Sequence, residues 1–183
     1  MIFHETPLRD AYVIEPEPVG DERGLFARTW CERELAARGL DIRIAQCSTS
    51  FNVKGGTLRG MHYQIEPFAE TKLVRCTRGA IYDVIIDLRR GSPTFRRHFA
   101  AVLSADNRKA MYVPKGMAHG FQTLEDRSEV LYQISQFYSP EHARGVRWDD
   151  RAFAIRWPDA AVRTISDRDR SYPDVDGAEA VLS

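Results

Sequence analysis

The chain has 183 residues and balances 26 Lys+Arg against 26 Asp+Glu, for a formal net charge of zero. That balance excludes the uniformly basic surface of a general nucleic-acid binder and leaves local charge as the guide to any site. With 43% hydrophobic residues, a domain of this length buries about 70% of its unfolded surface and needs no covalent staples.

Cys31, Cys47 and Cys76 are odd in number and form no CxxC pair, so reduced thiols are expected, not a disulfide framework or a zinc knuckle. The opening MIFHETPLRD lacks the basic and apolar regions of a secretory signal, and no apolar run approaches the ~20 residues that span a bilayer. The expectation is a soluble cytoplasmic protein without a membrane or nucleic-acid partner. One domain covers residues 1–183, with an N-terminal strand region over about 1–45 and a C-terminal arm over about 150–183.

In chain order, His4 falls in a polar, loop-like stretch. TWCERELAARGL reads as a helix stopped by Gly39. Nearly everything after it reads as strand. VRCTRGAIYDVIIDLRRGSP holds two β-rich runs, and within it Tyr82, Val84 and Ile86 alternate with Asp83, Ile85 and Asp87. HFAAVLS, KAMYVP, GFQTL and EVLYQISQFY continue the pattern. Turns are marked at Gly91-Ser92-Pro93, Ala105-Asp106-Asn107, Pro114-Lys115-Gly116 and Glu125-Asp126-Arg127. Short strands at roughly 8–12-residue spacing predict a sandwich or barrel. Helices do not alternate with them, which disfavours a parallel α/β fold. The tail VRTISDRDRSYPDVDG is polar and is expected to be irregular.

Of the five histidines, only His62 and His119 stand in apolar, strand-like settings. In GTLRGMHYQ, alternation puts Gly60, His62 and Gln64 on one face and Arg59, Met61 and Tyr63 on the other. A bulge at the glycines would turn Arg59 inward. A lone strand histidine is more often a core residue than a catalyst, and that is the stronger reading of His119 taken alone. PKGMAHGF resembles the second half of the cupin signature. Metal cupins carry His-x-His and a later glutamate in the first half. Here that place reads His62-Tyr63-Gln64, with Glu70 as the available acid, so the donor set is incomplete and no metal is expected. Lys72 reads locally as a solvated edge lysine. Tyr132 and Tyr138 share one side if their strand is regular. Asp167 and Asp169 read locally as loop charges.

Taken together, DERGLF, GTLRGMHYQ, a lysine ten residues after His62, RGAIYDVIIDLR, GSPTF, VPKGMAHGF, LYQISQFYSPEH, VRWDD and ISDRD resemble the nucleotide-sugar 3,5-epimerases. That family is typified by dTDP-4-dehydrorhamnose 3,5-epimerase, and the likeness runs from Asp21 to Asp169. It implies an all-β double-stranded β-helix jelly roll, cupin-like, with a few short helices. It also implies a homodimer with exchanged strands, no cofactor, and a dTDP-linked 4-keto-6-deoxy sugar as substrate. By motif, His62 corresponds to the general base, Asp169 to its carboxylate partner, Lys72 to the group that stabilises the enolate and Tyr132 to the returning acid. Tyr138 corresponds to a second sugar-pocket tyrosine. Arg23, Phe26, Gln46, Arg59 and Phe121 correspond to nucleotide and diphosphate contacts, and His119 completes the substrate-binding set.

The chemistry is consistent with these residue types. A 4-keto sugar has acidic hydrogens at C3 and C5, and inversion needs a base on one wall and an acid on the other. Histidine suits the base, a carboxylate behind it sets its tautomer, and lysine supplies the charge that an enolate oxygen needs. Three departures from the family pattern stand where the nucleotide or sugar would be held. Arg28 replaces an acid, Ser48 replaces an asparagine, and one extra residue lies between Ser50 and Gly56. They keep open a GDP- or CDP-linked substrate or epimerisation at a single carbon, while the intact set of His62, Lys72, Tyr132 and Asp169 argues against the other alternative, a nucleotide-sugar-binding cupin without turnover.

Overall fold

The computed structural model describes residues 1–41 and 43–176. Two antiparallel sheets face each other. The first orders β1 (Ile2–Glu5), β2 (Tyr12–Glu15), β10 (Ala110–Val113), β7 (Lys72–Arg78), β12 (Ser128–Ile134) and β5 (Gln46–Asn52). The second orders β13 (Ala143–Gly145), β6 (Leu58–Gln64), β11 (Met117–Thr123), β8 (Ala80–Asp87) and β9 (His98–Ser104). From β7 to β12 the chain crosses repeatedly between the sheets, which is the jelly-roll arrangement the sequence implied. A separate two-stranded hairpin, β3 (Val19–Asp21) and β4 (Gly24–Phe26), pairs with neither sheet.

Strand β8 shows why its sequence is apolar on both faces. Ile81 and Ile85 join Val74, Cys76, Met111, Phe121 and Val130 in the core between the sheets. Val84 and Ile86 lie on the outer face, where Met61, Val146, Phe153 and Val175 cover them. Val146, Phe153 and Val175 belong to the segment after β13, so the described residues of that segment form a second layer over the sheet. Asp150 fixes it by accepting the N–H groups of Ala152 (2.9 Å) and Val175 (2.7 Å).

On the other sheet, Leu73, Ala110 and Tyr112 are covered by Leu35, with Trp30 and Leu40 packed alongside. Leu35 lies in α1 (Glu32–Ala36), which is shorter than the predicted TWCERELAARGL helix. Cys31 at its N-cap makes no side-chain cap bond. At the other end Gly39, with φ +68, closes the helix through Gly39 N–H to Ala36 O (2.9 Å) and Leu40 N–H to Leu35 O (3.1 Å).

Three further expectations change. His4 stands in β1, paired with Glu15, and not in a loop. Strand β12 ends at Ile134, so Tyr138 lies beyond it. The tail forms a one-turn helix, α2 (Asp167–Arg170), capped by the Ser166 side chain accepting the Asp169 N–H. Among the described residues no helix is long and apolar enough to cross a membrane.

Phe121 is 1% exposed and lies in the inter-sheet core. Phe121→Ala is therefore expected to lower the unfolding free energy by about 3–5 kcal/mol, read by urea denaturation.

Candidate functional site

Strands β6 and β11 approach unusually closely. A Cβ on Gly60 would lie 2.6 Å from Gly120 Cα, and one on Gly120 would lie 2.7 Å from Arg59 O. Gly60 also has φ +142, a conformation that side chains strongly disfavour. Here the register slips by one residue, between the pairs His119–His62 and Phe121–Arg59. This is the bulge that brings Arg59 onto the same side as His62. Both line a cleft of about 450 Å³ between the two sheets.

His62 Nε2 lies 2.8 Å from Asp169 Oδ1. The Asp169 side chain is 6% exposed, whereas that of His62 is 42% exposed and faces the cleft. Asp169 also accepts the Gly60 N–H at 3.2 Å. Burial alone would raise its pKa. The bond and charge of His62, the Gly60 amide and Ser166 outweigh that and hold the carboxyl below its ordinary range. An ionised Asp169 fixes the proton of neutral His62 on Nε2 and leaves the Nδ1 lone pair available.

A second pair stands across the strand boundary. His119 Nε2 lies 2.7 Å from Asp83 Oδ1, and both side chains are buried. Burial raises the Asp83 pKa, against the opposing charges of His119 and Lys72. The His119 ring meets Tyr132 edge-on, with centroids 5.9 Å apart. Tyr132 comes from β12, on the sheet opposite His62. Burial, and secondarily Asp83, push its phenol well above the usual tyrosine value, with Arg59 opposing. It is a phenol that stays protonated at neutral pH.

Lys72 is nearly buried, unlike the solvated edge lysine that local sequence suggests. Its Nζ pairs with Glu70 Oε1 at 2.8 Å and donates to His62 O at 3.3 Å. Glu70, the one acid available for a metal site, is thus committed to Lys72, while the Nε2 of each cleft histidine faces its own carboxylate. Among the described residues no group of three or more His, Cys, Asp or Glu is arranged to hold a metal ion.

The remaining wall is cationic. Arg59 gives its Nε–H to Asn52 Oδ1 (2.8 Å), and Arg144 bonds only the carbonyls of Glu141 and Ala143 (2.8 and 3.0 Å). Arg168 lies beside the Tyr138 and Tyr172 hydroxyls, which raise its pKa, Tyr138 foremost. Among the described residues no carboxylate pairs with these three guanidiniums. Gln46, Ser48 and Ser50 of β5 form the polar side, and Gln46 accepts the Tyr138 N–H at 3.3 Å.

The cleft therefore gathers His62, Lys72, Tyr132, His119, Arg59, Gln46 and Tyr138, with Asp169 behind His62. Phe121 is left in the core. Arg23 and Phe26 are not on its wall. They stand on the β3–β4 hairpin, 85% and 80% exposed respectively. Arg28 pairs with Glu34 on the surface, whereas Ser48 is on the cleft wall. Sequence reasoning missed Arg144, Arg168 and Tyr172. The only available signal was the position of Arg168 between two acids in ISDRD. Nothing local marks Arg144 or Tyr172.

The family model described as dTDP-4-dehydrorhamnose 3,5-epimerase matches residues 5–176. A protein of that name from Sinorhizobium fredii is 41% identical over 173 residues, covering 94% of this chain and 89% of the relative. The solved structure of the dTDP-4-dehydrorhamnose 3,5-epimerase of Bacillus anthracis, with TDP and PPi bound, is 42% identical. It superposes with a TM-score of 0.90, covering 94% of this chain and 98% of that one. The dTDP-6-deoxy-D-glucose-3,5-epimerase of Legionella pneumophila, in complex with dTDP-4-keto-L-rhamnose, is 32% identical with a TM-score of 0.93, covering 99% and 96%.

The lowered Asp169 pKa has a consequence for stability. Its contribution is present above the ordinary carboxylate pKa of ~3.9 and is lost as pH falls through the depressed folded value. Asp169→Asn should be less stable than the parent at neutral pH, and the difference should close on acidification. Urea unfolding of both proteins across that range checks it; a gap that persists unchanged in acid would show that the carboxylate charge is irrelevant.

Proposed function

The chain belongs to the dTDP-4-dehydrorhamnose 3,5-epimerase family, and we propose that it inverts C3 and C5 of a dTDP-linked 4-keto-6-deoxy hexose without a cofactor. The observation that carries this reading is the placement of base and acid on opposite sheets. His62, backed by Asp169, stands on β6, and Tyr132 stands on β12 across the same cleft.

His62 Nδ1 takes the proton α to the carbonyl, and the imidazolium that forms is stabilised by Asp169. Negative charge moves to the 4-keto oxygen, where the Lys72 ammonium supplies a fixed cation in a nearly dry setting. Tyr132 then donates its proton to the opposite face of the carbanion. Its raised pKa keeps that proton in place until a strongly basic carbon draws it. C3 and C5 are both α to the same carbonyl, so the same groups serve them in turn once His62 has released its proton to solvent and Tyr132 has regained one from it. Positioned acid–base groups of this kind contribute about 10²–10⁴-fold each.

Arg59, Arg144 and Arg168 form the cationic end of the cleft and suit the diphosphate, Arg59 with a fork that grips phosphate oxygens bidentately. Gln46, Ser48 and Tyr138 line the approach to it. The active unit in this reading is a homodimer. An isolated two-stranded ribbon is marginal in water, and the β3–β4 hairpin exposes Val19, Leu25 and Phe26 with Arg23 beside them. Reaching the cleft of a second copy would bury that surface and bring Arg23 and Phe26 to the nucleotide.

The test of the reaction is proton exchange in D₂O with dTDP-4-keto-6-deoxy-glucose, followed by NMR. Deuterium at C3 and C5 with inverted product is expected. His62→Ala should show neither exchange nor inversion, and Tyr132→Phe should exchange without inverting. Label at one carbon alone would reduce the activity to a single-site epimerase, and no label at either would refute the reading. Shared sites predict complementation: His62→Ala and Arg23→Ala should each be impaired alone, and mixing them after subunit exchange should recover activity. Mixtures no better than the sum of their parts would remove the hairpin from the site.

A further inference from the structure

The nearly buried pair of Glu70 and Lys72 has no part in the proton transfers themselves, yet it is tightly held within the cleft. The two side chains are 11% and 9% exposed and lie 2.8 Å apart. The second oxygen of Glu70 accepts Gln64 Nε2 at 3.1 Å. Gln64, which stands where a metal cupin would carry its second histidine, shares the two hydrogens of that Nε2 among Glu70, Phe68 O (2.9 Å) and Phe137 O (3.1 Å). Its Oε1 accepts the Ser139 N–H at 2.7 Å. Gln64 is therefore a fully used brace. It ties the turn that delivers Glu70 to the loop that carries Tyr138, and it fixes the carboxylate in one orientation.

The other groups facing Lys72 do not share this task. Asp83 on β8 is bonded to His119 of β11, and His62 of β6 offers only its carbonyl. Tyr132 on β12 is neutral, and Arg59, Arg144 and Arg168 elsewhere on the wall carry the same charge as Lys72. Glu70 is the one carboxylate paired with the ammonium among the described residues. An ammonium this nearly buried, among arginines and without that counter-ion, would be a costly unpaired charge with no fixed place.

We infer that Glu70 is a positioning residue for Lys72, keeping its ammonium charged and held beside the His62 carbonyl, with Gln64 holding Glu70 in turn. This rests on the reading of Lys72 as the group that stabilises the enolate. Removing the negative charge leaves the nucleotide contacts untouched, so the effect falls on turnover and on its pH dependence, not on binding.

The experiment compares Glu70→Gln, Glu70→Asp and Lys72→Met with the parent, using steady-state kinetics on dTDP-4-keto-6-deoxy-glucose from pH 6 to 10 and thermal melts as a fold check. Glu70→Gln should lower kcat by roughly 10- to 100-fold, with KM within about twofold. It should move the alkaline limb of the kcat profile down by at least ~1 pH unit. Glu70→Asp keeps the charge and should leave that limb where the parent has it, and this result decides the matter if Glu70→Gln fails to fold. A Glu70→Gln profile with an unmoved limb, whatever its kcat, overturns the inference, as does a shifted limb in Glu70→Asp. If Lys72→Met turns over normally, the assignment of Lys72 falls and takes this inference with it. An inactive Lys72→Met beside an unaffected Glu70→Gln refutes the role of Glu70 alone.

Discussion

The contact between Gly60 and Gly120 is the constraint on which the cleft depends. Neither position has room for a Cβ, because each backbone occupies the space that the other's side chain would need. At that approach β6 slips by one residue against β11. The slip breaks the two-residue period of the strand, so Arg59 and His62, three apart, face the same cleft. The same glycine gives its N–H to Asp169. One local distortion therefore turns the arginine inward, and the same strand turn anchors the carboxylate behind the histidine. A regular β6 would leave Arg59 on the outer face with Met61 and Tyr63.

The cleft then divides its charges in two groups. His62, His119 and Lys72 are each matched with one carboxylate that is nearly buried, Asp169, Asp83 and Glu70 respectively. Matching buried charges this way limits their desolvation cost and defines the protonation state and direction of each donor. Among the described residues Arg59, Arg144 and Arg168 have no carboxylate partner, so their charge remains available to a ligand. A site for a carbon acid attached to a diphosphate needs both: oriented proton donors and acceptors at the reacting carbon and spare positive charge at the diphosphate end of the molecule.

The C-terminal arm links fold to chemistry. Val146, Phe153 and Val175 cover the outer face of the second sheet, and α2 at the end of the arm inserts Asp169 behind His62. Tyr172, from the same segment, packs edge-on against the His62 ring at 5.8 Å and fits only because residue 145 is glycine; a Cβ there would lie 2.4 Å from its ring. A segment that reads as a polar tail thus supplies three cleft residues, Arg168, Asp169 and Tyr172, and its apolar packing is what places them.

The sequence by itself determined the strands and turns from β7 to β11, because alternation and turn chemistry are local, and the glycine stop after α1, because only a left-handed residue closes that helix. The resemblance of ordered motifs identified His62, Lys72, Tyr132 and Asp169, which do meet in one cleft. Only the tertiary structure decided the rest. Arg59 faces inward because two strands crowd at glycines, a property of neither strand alone. Phe121 belongs to the core because it sits on the face that closes between the sheets. Glu70 and Lys72, two residues apart at the start of β7, are a nearly buried ion pair because that side of the chain faces the cleft between the sheets, and nothing in AETKLVRC distinguishes that from a solvated edge. The tail became an ordered arm because apolar residues spaced along it find a sheet face, and that complementarity exists only once both surfaces have formed.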